Sequence, residues 1–528
     1  MPYDYKPFDY IRPAGLDGPE PRHQVIIVGA GPIGLAAALD LASYGVPSVV
    51  LDDNNVVSVG SRAICWSKRS LEILDRLGLG DKCVEKGVTW QVGRTFHGAE
   101  EVFRFDLLPD DGHKMPAFVN LQQYYVEQYL VEAAEASDLI DLRFKNAVIG
   151  VNQSDHVVVD IETPDGLYTL EAQYLLACDG AKSPIRSMMG LEFQGVLFEE
   201  KFLIADIQME RAFPSERRFW FEPEFHDGQS ALLHKQPDNI YRIDLQLGWD
   251  ADTDEEKKPE NIIPRIEKVV GHSDFTLDWT SIYTFQCRRL ARFVHDRVIF
   301  VGDSAHIVSP FGARGGNGGL QDVDALGWRL AAVCQGRAPA AILDRYDIER
   351  QHGADENLAN SARATRFMSP GDGAERWFRD ATLALAAKAD FARPMVNSGR
   401  LSVPCIYPLD APDAPGLPVG SRPGAVAPDL PTPEGWLMTQ LGGRFVLLCV
   451  GTEAPKGLDL KTIRIAVPDK VPEEVARDLP YDVPTLVRRY GDPAYYLIRP
   501  DQVIAARWRD VDAATVTAEI AKIWEGQA

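Results

Sequence analysis

Gln24-Val25-Ile26-Ile27-Val28-Gly29-Ala30-Gly31-Pro32-Ile33-Gly34, running into the Ala- and Leu-rich stretch Leu35 to Tyr44, decides the fold. The short continuous apolar run suits a strand buried on both faces of a parallel sheet. The stretch after the glycines reads as a helix closed by Gly45. A second apolar run, Pro47 to Leu51, ends in Asp52-Asp53. Each glycine has its own task in such a frame. Gly29 permits the tight turn, Gly31 lets backbone approach a pyrophosphate, and Gly34 lets helix pack close to strand. The helix N-terminus offers free N–H groups and a positive dipole end to the diphosphate. Asp52, roughly 20 residues on, can take ribose hydroxyls. This strand–turn–helix–strand–acid order predicts a dinucleotide site.

Two further motifs decide which dinucleotide. Asp179-Gly180-Ala181-Lys182-Ser183-Pro184-Ile185-Arg186 follows the apolar run Tyr174 to Cys178, and Gly302-Asp303-Ser304-Ala305-His306 follows Val298 to Val301. Both therefore sit at strand ends, where open α/β sheets bind ligands. Three glycine-bearing motifs spread over most of the chain describe a site wrapped around an extended dinucleotide, and they imply FAD rather than NAD.

In these motifs the chain resembles the FAD-dependent aromatic hydroxylases, the single-component flavoprotein monooxygenases, and within them the phenol hydroxylase and 3-(3-hydroxyphenyl)propionate hydroxylase branch. The likeness runs from about Val25 to the C-terminus. It implies an α/β fold: a Rossmann-like FAD-binding domain, an inserted antiparallel-sheet substrate domain and a C-terminal thioredoxin-like domain. By this resemblance Ser61-Arg62-Ala63 carries the arginine at the FAD pyrophosphate, Gln123 lies at the flavin side, Asp179 lies between FAD and the nicotinamide path, and Asp303 binds the ribityl chain. The loop Pro310-Phe311-Gly312-Ala313-Arg314-Gly315-Gly316-Asn317 packs against the pyrimidine end of the flavin, with Gly315, Gly316 and Asn317 as cofactor contacts. Ala313, Arg314 and Gly316 depart from the family's commoner G-Q-G-M-N form. Pro310 and Arg314 are pocket candidates.

Arg217 to Gly248 alternates apolar and polar residues, as an antiparallel sheet does. In the family such a sheet carries the substrate pocket, with inserts here at about 90–122 and 190–286. His234, Gln236, Tyr241 and Arg242 are its polar candidates, each equally able to face solvent, and no catalytic base is identified. Residues 1–403 form the FAD-binding unit, 404–435 a proline-rich linker, and 436–528 the thioredoxin-like domain, which has no C-x-x-C and hence no thiol redox role. Cys449 ends the apolar run Phe445 to Val450 and reads as a core residue. The domain is expected to pack structurally or to support a homodimer.

A net charge of -22 argues against nucleic acid, whose backbone needs a basic footprint. The 7 cysteines form no C-x-x-C pair and suggest reduced thiols in a cytoplasmic enzyme. No metal-ligand spacing, membrane span or signal peptide is read. The expected activity is an FAD-dependent monooxygenase using NADPH or NADH and O2 to hydroxylate a phenolic or electron-rich aromatic ring through a flavin C4a-hydroperoxide. The alternatives are a flavin oxidase or dehydrogenase, or a Baeyer–Villiger or epoxidising monooxygenase, on the same frame.

Overall fold

The computed structural model describes residues 3–527 apart from Ser61, Pro109, Ala212, Asp227, Asp372, 397–402, 468–479 and Asp482. The strand His23–Val28 lies at the centre of the first sheet, parallel to Ser48–Asp52 on one side and to Gly166–Ala177 on the other. Ile140–Phe144 and Val298–Phe300 extend this parallel core outward. The central strands are apolar without alternation, as in a sheet covered on both faces, and Val25, Ile26 and Ile27 are fully buried. The helix Pro32–Ser43 follows the first strand, with proline at its first turn. The helix Gly315–Cys334 crosses it at glycine: a Cβ on Gly319 would lie 2.6 Å from Ile33 and 3.2 Å from the Gly302 backbone.

The second sheet also has eight strands, in the order His306–Ile307, Thr276–Arg289, Gln194–Gln208, Ile240–Leu247, Ala231–Lys235, Arg217–Phe221, Val92–His97 and Glu100–Asp106. All its pairings are antiparallel except Arg217–Phe221 beside Val92–His97. Phe118–Asn120, within the expected insert at 90–122, instead joins a small three-stranded sheet with Cys65–Ser67 and Val88–Trp90. Strand period 2 gives the large sheet two unlike faces. One packs Leu203, Ile243 and Leu245 on Ile262 and Ile266 of the helix Pro259–Val270. The other packs Phe202, Phe219 and Phe285 against Phe311.

The last sheet orders Lys461–Ile465, Val446–Val450, Ala494–Ile498 and Ile504–Trp508. Ala494–Ile498 and Ile504–Trp508 pair antiparallel as a hairpin. The helix Ala513–Trp524 closes the chain, its start capped by Asp512 Oδ1 accepting from Thr515 N at 2.8 Å. Cys449 is fully buried, and burial pushes its thiol up to about 11.

The segment expected to be a linker is instead part of this domain. Gly424 N donates to Ile504 O at 2.8 Å, and Ile504 N donates to Ala425 O at 2.9 Å. Leu417, Ala427 and Leu430 are core residues with Leu448 and Tyr496. Proline removes backbone donors, so a proline-dense coil can be buried with few N–H groups left to satisfy.

Nor is the domain merely tethered. Its Phe445, Leu447 and Val516 belong to the same apolar cluster as Val25 and Leu326. A buried ionic seam joins the two units. Arg499 donates to both oxygens of Glu349 at 2.8 and 2.9 Å and to Asp501 at 2.6 Å. Arg329 donates to the same Glu349 at 2.9 Å, and Trp328 Nε1 donates to Asp501 at 3.1 Å. Arg69 reaches Asp324 at 2.5 Å, the Asp501 carbonyl at 2.9 Å and Gln502 at 2.7 Å. Glu349 and Asp501 are held below the usual carboxylate range by the arginines, against a large desolvation cost.

Removing one member of a buried ion pair strands its partner, which typically costs about 3–5 kcal/mol. Glu349→Leu should therefore lower stability by about that much in chemical denaturation. Removing the exposed Lys82–Glu132 pair should cost under about 1 kcal/mol. Equal effects would show that the seam does not hold the two units together.

Candidate functional site: an FAD cleft

At the end of the first strand the three glycines serve three different needs. Gly29 adopts φ +105°, and a Cβ there would lie 2.5 Å from the Cys178 carbonyl oxygen. Its N–H donates to Leu51 O at 2.7 Å. A Cβ on Gly34 would collide with the Gly29 carbonyl oxygen. A Cβ on Gly31 would meet nothing within 4 Å, so this backbone faces open space at the N-terminus of Pro32–Ser43. Asp52 braces the turn: Oδ2 accepts from Ala30 N at 2.6 Å and Oδ1 from Asn54 N at 2.8 Å. Burial pushes its carboxyl up to about 6.

The Asp303 turn enters the cleft next to the start of the second long helix. A Cβ on Gly315, the first residue of Gly315–Cys334, would lie 3.8 Å from Asp303 Oδ1. The Asp303 side chain opens to the cleft, yet it is deep enough that desolvation raises its pKa; charges on His306 and Arg62 partly offset this. Asp322, which sequence reasoning missed, fixes this turn from below. Its Oδ2 accepts from Gly302 N at 3.0 Å and lies 2.7 Å from His306 Nε2, and its Oδ1 accepts from Arg350 at 2.6 Å. Only its place one residue before Val323 on a buried helix marks it, which is no signal on its own.

Other candidates act as braces. Asp179 Oδ2 accepts from Ser183 Oγ at 2.8 Å and Ile185 N at 3.0 Å, while its Oδ1 is buried without a partner among the described residues. Arg186 donates to the carbonyls of Ser304 at 3.1 Å and Ala181 at 2.8 Å, tying the second motif to the third. Gln123 accepts from Ala63 N at 3.0 Å and donates to Ser58 and Glu127, so it holds the loop carrying Arg62. Arg62 itself is exposed; Ser61 lies outside the described residues. Asn317 uses its whole amide on Ser67 N, Cys65 O and Ala313 O, at 2.6–2.9 Å. A Cβ on Gly316 would lie 3.5 Å from Trp66. Pro310 is exposed, and Arg314 is buried, donating to Asn357 at 3.1 Å.

The residues present fit an extended dinucleotide. Open backbone at Gly31, the N-termini of Pro32–Ser43 and Gly315–Cys334 and the exposed carboxylate of Asp303 supply groups suited to it.

Above the flavin loop, the sheet face containing Phe202 and Phe285 meets Phe311 with ring centroids 5.0 and 4.9 Å apart. His234, Gln236 and Arg242 share this face. Arg242 donates bidentately to Asp206 at 2.8 and 2.9 Å and to the Arg62 carbonyl at 3.1 Å; Gln236 donates to Asp206 at 3.2 Å. Tyr241 must be corrected. One residue before Arg242, it points to the opposite face, packs with Ile262 and Ile266, and donates to Arg211 O at 3.3 Å. Arg217 and Asp244 belong with the group and were missed, because alternation shows that a residue faces out of the sheet plane but not which side is wet.

Residues 22–361 match the family model described as an FAD binding domain, and the chain belongs to that family. FAD is its cofactor, and its relatives are oxidoreductases. The 3-(3-hydroxy-phenyl)propionate/3-hydroxycinnamic acid hydroxylase of Mycolicibacterium smegmatis is 26% identical over 435 residues, covering 80% of this chain and 76% of that protein. The para-nitrophenol 4-monooxygenase of Pseudomonas sp. strain WBC-3 is 28% identical over 377 residues, covering 70% and 92%. Among solved structures, the flavin-dependent monooxygenase PieE, in complex with FAD and substrate, superposes with a TM-score of 0.78 at 21% identity, covering 97% of this chain and 100% of that one. The chain is thus similar to FAD-dependent monooxygenases over nearly its full length.

The glycine geometry separates folding from binding. Gly34→Ala should fail to fold or melt much lower, while Gly31→Ala should keep the apoprotein's melting temperature and bind FAD at least about tenfold more weakly, read by flavin fluorescence. Asp244 offers a pH test. Its carboxyl is raised by burial to about 6 from 3.8, so its stabilising neutral form is fully present below about pH 4 and lost as pH rises through about 6. Asp244→Asn cannot ionise. Its stability relative to the parent should grow across that window by on the order of 2–3 kcal/mol in urea midpoints at pH 4.5 and 7.5.

Proposed function

We propose that this chain is an NAD(P)H- and O2-dependent monooxygenase that hydroxylates a phenolic or otherwise electron-rich aromatic ring. The observation that carries this reading is the placement of one sheet face, aromatic with a polar stripe, directly over the loop at the start of the Gly315–Cys334 helix. The names of the relatives agree with it. Bound FAD supplies electron acceptance from the nicotinamide and activation of O2. The protein's part is binding, orientation and exclusion of water.

In this reading the Gly31 backbone and the Pro32–Ser43 N-terminus hold the diphosphate, assisted by Arg62. Asp52 takes the adenosine ribose and Asp303 the ribityl hydroxyls. The N–H groups at Gly315 and Gly316 favour negative charge at the pyrimidine end of the ring. The aromatic cluster of Phe202, Phe285 and Phe311 keeps water from the reacting face. The C-terminal unit, read as thioredoxin-like and without a C-x-x-C, serves as a structural partner of the FAD unit and as a contact in a homodimer, in the cytoplasm. Among the described residues, no helix is long and apolar enough to cross a membrane.

The test is nicotinamide oxidation by the FAD-loaded enzyme across a panel of phenols under ¹⁸O2. Label should enter the product. Stoichiometric peroxide with every phenol, and no label in product, would replace this reading with an oxidase. Asp303→Ala should lose FAD at least about tenfold more readily, since one charge-assisted hydrogen bond is worth about 1.5–3 kcal/mol.

A further inference from the structure

The face of the large sheet that looks toward the flavin loop carries Phe202, Phe219 and Phe285, with a polar row beside them. Across the strands Arg242 pairs with Asp206 on one side and with His234 on the other. Leu233 pairs with Arg218, so the same register sets Arg217 beside His234. Arg217, His234, Arg242 and Asp206 therefore form a row across four strands, with Asp244 two residues further along.

The row is unevenly satisfied. Arg242 and Asp206 neutralise one another in a bidentate pair. Arg217 is buried, 8% exposed, and among the described residues its Nε has no hydrogen-bond partner. No carboxylate forms an ion pair with it there; Asp244 and Cys65 act on it only from a distance. His234 Nδ1 beside it is buried and unpartnered, as is Asp244 Oδ1, while His234 Nε2 faces Asp244 at 4.0 Å. Burial and the two arginines hold His234 neutral. A protein does not bury a guanidinium without a partner unless something supplies the counter-charge, because the stranded charge costs several kcal/mol. Cys65, on the strand whose carbonyl binds Asn317, feels the charges of Arg217 and Arg242, so the orphaned groups sit between the sheet and the cofactor loops.

We infer that Arg217 is the recognition residue for an anionic oxygen group on the aromatic substrate, with the neutral His234 as the hydrogen-bonding neighbour that orients that group. This rests on the proposed placement of the aromatic ring below the sheet. It goes beyond that reading in selecting anionic rings, phenolate or carboxylate, over neutral ones. Guanidinium suits either anion, offering two parallel N–H donors to a carboxylate or a fork to a single phenolate oxygen.

The test uses the FAD-loaded enzyme and reads binding from the perturbed flavin absorbance, with no turnover. Two matched pairs distinguish the two sources: 4-nitrophenol against 4-nitroanisole for phenolate, and 4-methoxybenzoate against 4-methoxybenzamide for carboxylate. At least one anion should bind tenfold or more tightly than its neutral partner. Arg217→Gln should remove that preference, and Arg217→Lys should restore part of it, with FAD content and melting temperature close to the parent's. If Arg217→Gln does not fold, Arg217→Lys and His234→Asn carry the test, each lowering the preference without abolishing FAD binding. Equal binding of both members of each pair, no binding of either anion, or a preference that survives Arg217→Gln would overturn the inference. Selective anion binding without NAD(P)H-driven hydroxylation would leave it standing and defeat the proposed function instead.

Discussion

The close crossing of two long helices at glycine underlies everything else in this structure. Gly34 meets the Gly29 turn, and Gly319 leaves room for the Ile33 side chain and the Gly302 backbone. Only that approach lets the helices Pro32–Ser43 and Gly315–Cys334 begin at the same cleft. Their positive ends then converge where a diphosphate and the electron-accepting end of a flavin would lie, more than 280 residues apart in sequence. Farther along the same contact, Gly327 leaves room for Asp40, whose carboxylate pairs with Arg76 at 2.6 Å. Apolar strands fix the depth of the cleft, and missing side chains fix its width.

A second layer of the design is polar and buried. Asp322 gathers Gly302 N, His306 and Arg350 behind the Asp303 turn, and Glu349, next to Arg350 in the chain, gathers Arg329 and Arg499 at the seam. The helix Ile342–Met368 thus links the cofactor turn to the C-terminal unit by adjacent residues. Arg350 also donates to the Tyr407 hydroxyl at 2.9 Å, which brings the proline-rich segment into the same network. Such groups contribute little through net Coulomb energy. Their effect is to penalise any arrangement in which one of them lacks its partner.

Much of the fold could be read from the residues because it follows short-range rules. The frame from Gln24 to Asp52 shows its strand, turn and helix through apolar runs and glycine alone. The final helix, Ala513–Trp524, is likewise visible from its period. What escaped has a common physical cause. Proline density from 404 to 435 signals the absence of regular hydrogen bonding, not the absence of packing; Leu417 and Leu430 are buried within it. Tyr241 and Arg242 are neighbouring polar candidates on one strand, yet a strand displays two faces and the residues do not say which one meets the cofactor. Arg217, Asp206 and Asp322 became meaningful only with their neighbours across strands or helices. The residues alone do not show that Gln123 and Asn317 brace loops, since a side-chain amide serves a ligand or a loop equally well.

The seam at Arg499, Asp501 and Gln502 bears on how such a chain can be recombined. A modular domain can be exchanged at a loop when few contacts cross the boundary. Here the junction lies inside the core, and both sides contribute charges to the cluster around Glu349 and Asp501. A graft of the last hundred or so residues onto another FAD unit would succeed only with Arg69, Trp328, Arg329 and Glu349 carried along. The inheritable unit is therefore a set of matched residues on two elements distant in sequence, and the natural cut points of this protein lie in its surface turns rather than between its apparent domains.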